Sequence, residues 1–245
     1  MLLRGVGDNM LNHFTFNGHS SAEYGLLVTA VNPYNAPSRR VEKIQIPYRN
    51  GDLFIDSGTY NNIIVSYEIA LTNSTQTNAD AIRNWLLDSQ GYHQLSDTIN
   101  TDSFRIACYY DSIQYTLTAL YKYGKAVISF DCFPQRYLVA NNTMSLSATT
   151  NDATLPKLNA ATISSTYNGE PVITVTTTGS IYFNGCTIKV LSAPVTINSQ
   201  TMQCYYGTTN KNNDVEINDF PMLVKGNNEI GSTMALSIVP NYWKL

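Results

Sequence analysis

The chain has 245 residues, enough for one large or two small domains. A fold of that size buries roughly 70–75% of the surface its unfolded form exposes, so neither a disulfide nor a metal is needed to hold it together. Charged residues make up only 13%, about half the usual share of roughly 25%, and Asn, Thr, Ser and 17 Tyr carry the polarity instead. With 15 basic against 18 acidic side chains the net charge is -3, and the longest basic run is Arg39-Arg40; this excludes a nucleic-acid binder held by phosphate contacts.

Residues 1–9 read as a flexible leader, with two alternatives: Met10 as the natural start, or an ordered arm. No apolar h-region follows Arg4, so no signal peptide is legible. No apolar run approaches the roughly 18 residues of a membrane span, and no membrane insertion is expected.

Period-2 alternation rich in Val, Ile, Thr and Tyr then recurs along the chain. It predicts strands over 63–71, 104–110, 113–120, 127–133, 172–175, 187–191 and 234–239. Asn17-Gly18, Asn50-Gly51, Asn168-Gly169 and Asn184-Gly185 are tight-turn signals between them. One segment departs from the pattern. Asn78 is placed to cap a helix over about 79–89, with Asp80 in its first turn, Ala81, Ile82, Trp85 and Leu86 on one face, and Gly91 at its end. A domain boundary is expected after Pro134, and the polar stretch 141–154 suits a linker or a solvated edge strand. The expected fold class is all-β, mainly antiparallel, with one short helix and two β-sandwich-like domains, 10–136 and 137–245.

The chemistry-bearing residues form no motif. Cys108, Cys132, Cys186 and Cys204 include no CxxC pair, and His13, His19 and His93 are scattered, so neither a metal nor a cofactor is expected. Cys108, alternating with Phe104, Ile106 and Tyr110, and Cys132, alternating with Ile128 and Phe130, read as small hydrophobes on buried strand faces. Cys186 and Cys204 could face each other across strands, and the missing secretion signal argues against a disulfide between them. GxSxG and HExxH are absent. Gly226–Thr233 has the glycine spacing of a phosphate loop but Ser232 where lysine belongs, and reads as a hairpin turn. Asp52, Asp56, Glu68, Asp97 and Asp102 read as solvated turns and strand ends rather than a hydrolytic pair. The chain is expected not to be an enzyme.

What remains is surface chemistry. Tyr109-Tyr110, Tyr121-Lys-Tyr123, Tyr182-Phe183, Tyr205-Tyr206 and Tyr242-Trp243 put aromatics on both faces of strands. Tyr and Trp are enriched at interfaces, where charge is depleted. The same residues suit a sugar-binding module, and a Tyr-rich core also accounts for any single pair.

Phe14-Thr-Phe-Asn-Gly-His-Ser-Ser-Ala-Glu-Tyr-Gly-Leu-Leu-Val28 is followed by Pro37-Ser-Arg-Arg-Val-Glu-Lys-Ile-Gln-Ile-Pro-Tyr-Arg-Asn-Gly-Asp-Leu53. Gly58-Thr-Tyr-Asn-Asn62, Trp85-Leu86, Gly91-Tyr92 and Leu95-Ser-Asp-Thr98 come next in order. This string resembles the N-terminal domain of the distal tail protein (Dit) family of long-tailed, non-contractile phages. Asn168-Gly-Glu-Pro-Val-Ile-Thr-Val175, Ile181-Tyr-Phe-Asn-Gly185, Asp219-Phe-Pro-Met-Leu223, Lys225-Gly-Asn-Asn-Glu-Ile230 and Pro240-Asn-Tyr-Trp243 are more loosely similar to its C-terminal sandwich. Pro47-Tyr-Arg-Asn-Gly-Asp52, with the Trp-Leu helix after it, is the most specific part.

The resemblance implies an N-terminal domain with a projecting arm and a galectin-like C-terminal sandwich. It implies a homohexameric ring at the distal end of the virion tail, acting as a hub. Its partners would be the tail tube protein, the tail-associated tip protein and the baseplate or receptor-binding proteins, and DNA would pass through the lumen without being read. The large carbohydrate-binding insertion of some relatives has no room here, which argues against direct host-sugar binding and leaves adhesion to a separate receptor-binding protein; the alternative function is a carbohydrate-binding host-adhesion module. A ring needs heterologous interfaces, and hairpin edges suit them. Residues 32–60, with Pro33, Pro37 and Pro47, are expected to form or flank the arm, or else a solvated hairpin within one monomer. Arg39, Arg40, Glu42, Tyr48, Arg49 and Asp52 are the candidate interface residues.

Overall fold

Phe14 and Phe16, on either side of a half-buried Thr15, are fully buried, and this alternation sets the pattern for the first of two units in the computed structural model. The structure describes residues 12–31, 36–72, 76–111, 125–149 and 160–245. The leader, the expected strand 113–120 and Tyr121-Lys-Tyr123 lie outside the described residues, as do 32–35 and 150–154. The units are Met1–Arg136 with Leu245, and Tyr137–Lys244.

In the first unit the strands are β1 (Phe14–Phe16), β2 (His19–Ser20), β3 (Leu26–Val31), β4 (Arg39–Gln45), β5 (Asp52–Tyr60), β6 (Ile63–Leu71), β7 (His93–Asp97), β8 (Ser103–Cys108) and β9 (Lys125–Cys132), with helix α1 (Gln76–Asp88) before β7. One antiparallel sheet runs β2-β1-β7-β8-β9-β6-β3. The longest ladder joins β6 to β9 from Ile63↔Cys132 to Ala70↔Lys125. Its inward side chains, Val65, Tyr67, Ile69, Ile128 and Phe130, surround Phe14 and Phe16.

Helix α1 closes this core with Ile82, Trp85 and Leu86. The Trp85 ring stacks on Tyr24 and Phe14, centroids 4.5 and 5.7 Å away, and its Nε1 donates to the Phe16 carbonyl at 3.1 Å. The helix begins at Gln76, earlier than expected. Asn78 is therefore inside it, and its Nδ2 donates to the Tyr24 carbonyl at 2.8 Å instead of capping. Asp80 falls past the first turn and pairs with Arg83 at 2.6 Å. The helix end follows expectation: Ser89 Oγ bonds the Trp85 carbonyl, and Gly91 takes a φ of 82°.

Two sequence expectations fail in their phase. In β8 the buried residues are Ser103, Ala107 and then Tyr109, while Phe104, Ile106 and Cys108 are half-buried and Tyr110 is exposed. The set facing inward, Ser103, Arg105, Ala107 and Tyr109, is the less apolar of the two, and pairing Ala107 with fully buried Cys132 selects it. Asn168-Gly169 is strand rather than turn. Gly169 pairs with Tyr242, and a Cβ there would collide with the Pro240 carbonyl.

The second unit is built from β10 (Arg136–Leu138), which begins in the first, β11 (Met144–Leu146), β12 (Ala161–Ser165), β13 (Asn168–Gly169), β14 (Val172–Val175), β15 (Gly179–Phe183), β16 (Cys186–Val190), β17 (Val195–Asn198), β18 (Gln203–Tyr206), β19 (Thr209–Asn210), β20 (Val215–Ile217), β21 (Gly226–Ser232), β22 (Leu236–Val239) and β23 (Tyr242–Lys244). A six-stranded sheet, β11-β22-β14-β17-β18-β19, and a five-stranded sheet, β12-β21-β15-β16-β20, share one core. The first supplies Ile173, Val175, Ile197 and Ile238; the second supplies Ile181, Phe183, Ile188 and Ile230. This is a two-sheet sandwich.

Asn184-Gly185 turns β15 into β16 with φ values of 47° and 89°, as two-residue hairpins require. Gly226–Thr233 is not a turn: its residues 226–232 are β21, a central strand paired on both sides. Fully buried Asn228 holds it there, donating to the Ile163, Val224 and Gly226 carbonyls and accepting from Asn184 and the Val224 amide.

Candidate functional site

The cysteine thiols offer no reactive centre. Cys132, Cys186 and Cys204 are buried, Cys108 is half-buried, and none is in a disulfide. Burial pushes the Cys132 thiol up to about 12 and raises the other three, so none is poised as a nucleophile. Cys186 instead donates to the Asp219 carbonyl. Among the described residues no three His, Cys, Asp or Glu side chains gather as metal ligands. No described helix is long and apolar enough to cross a membrane.

The feature that stands apart is the two-stranded sheet of β4 and β5. It carries all six candidate interface residues. From Arg39 to Tyr60 no described side chain is fully buried, although the register is regular: Val41↔Asp56, Glu42↔Ile55, Lys43↔Phe54, Ile44↔Leu53 and Gln45↔Asp52. Directly opposed residues in antiparallel strands share a face. One face therefore presents Ile44, Leu53 and Ile55 with Glu42 among them; the other presents Lys43, Phe54, Gln45 and Asp52. Ile44, Leu53, Phe54 and Ile55 are 39–56% exposed.

The base of the hairpin is fixed by its own polar groups. The register shifts between Arg39 and Val41. Ser57 Oγ donates to the Arg40 carbonyl at 2.7 Å, and Asp56 Oδ1 accepts from the amide of Gly58, whose φ is 72°. Arg39 Nη1 lies 3.0 Å from Asp56 Oδ2, with its guanidinium over the Tyr60 ring. Arg40 Nε reaches Asn61 Oδ1 at 3.4 Å. At the tip, Pro47-Tyr48-Arg49-Asn50-Gly51 makes the loop. Tyr48 is fully exposed in the left-handed region at φ 62°, as is Gly51 at 83°, and the Arg49 amide donates to the Ile46 carbonyl.

The structure thus places Arg39 and Arg40 at the base, Glu42 and Asp52 along the strands, and Tyr48 and Arg49 at the tip. It spends Arg39 on an intrachain pair and Arg40 on Asn61. The reading from charge passed over the apolar row Ile44, Leu53 and Ile55. Its signal was the alternation of Ile44 and Ile46 with Lys43 and Gln45.

Upstream, the Asn17–Val28 string folds as a compact unit. Asn17-Gly18 turns β1 into β2 with φ values of 50° and 79°. A 3-10 turn over Ser21–Tyr24 follows, closed by a capping box in which Ser20 Oγ accepts from the Ala22 amide and Glu23 Oε1 accepts from the Ser20 amide. That backbone bond, and then His19, hold the Glu23 carboxyl below its ordinary range. Gly25 ends the turn at φ 68°, where its freedom from a Cβ is required.

The fold thus combines a β unit closed by one helix, a two-stranded hairpin and a two-sheet sandwich. It is similar to the solved structure of SPP1 Dit (gp 19.1), described as a paradigm of the hub adsorption apparatus in phages infecting Gram-positive bacteria. The two superpose with a TM-score of 0.66 at 14% identity, over 96% of this chain and 100% of that one. The chain has a Dit-like fold. No family model matches the sequence, and no curated protein matches it.

Proposed function

We propose that the chain is a structural protein of a phage tail: a distal tail hub whose six copies close into a ring. The ring would join the tail tube to the tip protein and to the receptor-binding or baseplate proteins. The observation that carries this reading is the Dit-like fold over 96% of the chain, both units included. The first unit takes the ring-forming part, with β4–β5 as the arm, and the second takes the part of the galectin-like domain. Arg39, Arg40, Glu42, Tyr48, Arg49 and Asp52 lie at or near the contact with the next subunit. Ile44, Leu53 and Ile55 supply its apolar centre, since exposed apolar rows rimmed by polar groups mark interaction sites. The arm then serves a heterologous contact, in which one surface of each copy meets a different surface of the next.

The test is absolute mass by light scattering with negative-stain images of the same peak. Six copies of the 27.2 kDa chain give about 163 kDa, and a six-fold ring with a central hole is the expected image. A monomer that also stays monomeric on co-expression with its tail tube and tip proteins overturns the ring.

A further inference from the structure

We propose that Arg105 and Arg136 form a carboxylate-binding site on the first unit, one that takes an acidic side chain or a small free carboxylate. The two guanidiniums line a cavity of about 30 Å³ together with Tyr67, Asp97, Asn100 and Ser103. Among the described residues neither is ion-paired. Arg105 Nη1 donates to the Pro134 carbonyl at 3.2 Å, and Arg136 Nη2 donates to Ser103 Oγ at 3.0 Å. A guanidinium has five N–H donors, so most of both forks remain available.

The carboxylate already in the cavity does not serve them. Asp97 Oδ1 accepts from the Ile99 and Asn100 amides at 2.9 and 2.6 Å and from Asn100 Nδ2. Its Oδ2 accepts from the Tyr67 hydroxyl at 3.0 Å and again from Asn100 Nδ2. Asp97 is saturated by turn amides and a buried phenol, and a second carboxylate, Asp102, is linked to Arg136 only through the Ser103 hydroxyl. Burial first, and then the charge of Arg136, lower the Arg105 pKa, as expected for two half-buried cations held close together. A partly buried cation pair that no carboxylate contacts directly is costly; a carboxylate bridging the two forks offsets that cost through charge-assisted, bidentate hydrogen bonds. Size selects the ligand. A water needs about 10–15 Å³ of such space, so the cavity accepts a carboxylate head but not a sugar ring or a nucleotide.

Two sources supply that chemistry. On the ring reading, the source is a second copy's hairpin, whose Glu42 and Asp52 have no ion pair among the described residues while Asp56 is taken by Arg39. The other source is a free small carboxylate, which does not depend on that reading.

The experiment is a titration of the full-length protein with acetate against chloride at constant ionic strength, followed through arginine Nε–Hε NMR signals. It is run on the wild type and on E42Q/D52N, with R105K and R136K for assignment. Saturable shifts confined to Arg105 and Arg136, with Arg39 and Arg83 unmoved, are expected in at least one of the two proteins. A fall in mass along the same titration assigns the site to the second copy; an unchanged mass assigns it to a free carboxylate. No shift in either protein, or equal shifts across all arginines, overturns the site. Because the ring is scored by mass without acetate, its failure and the failure of this site are separate results.

Discussion

Arg39 and Asp56 form an ion pair at 3.0 Å across the base of the β4–β5 hairpin, and the Arg39 guanidinium sits 5.4 Å from the Tyr60 ring centroid. Both side chains are substantially solvated, so the pair itself contributes only about 0.2–1 kcal/mol to stability. Its importance is geometric, because it lies beside the register shift that aims the strands. Arg39→Glu sets two carboxylates opposite each other and should disturb the hairpin without unfolding the unit. The expected result is loss of the ring in R39E and its return in the charge swap R39E/D56R, read by light scattering. If the swap fails to restore the ring while both variants keep the wild-type Tm, Arg39 acts across subunits instead.

Ile44 and Leu53 face each other on the exposed apolar row. Because they are already solvated in the monomer, Ile44→Asp with Leu53→Asn should change unfolding free energy by no more than about 0.5 kcal/mol per site. The same double variant should reduce the assembled fraction at least tenfold. Sedimentation velocity alongside a urea melt separates the two effects. A ring that persists at wild-type affinity removes the apolar row from the interface.

Trp85 is where helix α1 is tied to the sheet, through two ring stacks and the bond to the Phe16 carbonyl. Trp85→Phe keeps most of the packing and leaves that carbonyl without its partner, so it should cost about 1–3 kcal/mol. Trp85→Ala should cost about 3–5 kcal/mol. Urea midpoints at constant m-value measure both, and a phenylalanine variant as stable as wild type would mean that water replaces the indole bond.

Legibility in the sequence followed the range of the forces involved. Trp85, Leu86 and Ile82 share a helical face set by local spacing, and the helix was readable to within one turn; its start was not, because Asn78 is claimed by the distant Tyr24 carbonyl. Strand β6, with Ile63, Val65, Tyr67 and Ile69 inward, has one apolar phase and was readable. β8 was not: its more apolar phase, Phe104, Ile106 and Cys108, is only half-buried, and pairing with β9 selects the other. Residues 226–232 looked like a turn because Gly and Asn are local turn formers, yet the bonds that bury Asn228 come from Ile163 and Asn184. At the hairpin, the charges and the Pro47–Asp52 tip were visible in the string. The Arg39–Asp56 pair and the shared face of Ile44, Leu53 and Ile55 depend on cross-strand register, which a single sequence does not state. The Arg105–Arg136 cavity gave no signal, since its two cations lie far apart in the chain.

Glu170 supplies a pH test confined to the second unit. Burial raises its pKa above the ordinary 4.5, and the hydrogen bond from the Tyr137 hydroxyl at 2.7 Å only partly offsets that. A carboxyl with a raised folded pKa binds its proton more tightly in the native state. Its contribution to stability is therefore fully present below about pH 4.5, the unfolded value, and is lost as pH rises through the folded value. Glu170→Gln keeps an acceptor for Tyr137 and removes the titration. The wild-type protein should lose stability relative to E170Q as pH is raised from 4 to 7, with E170Q the more stable at pH 7. Subtracting the two urea-derived stability curves isolates this group from carboxylates such as Glu23, whose lowered pKa gives the opposite slope. A difference curve that is flat, or that rises with pH, would show that Glu170 is ionised in the fold at no cost.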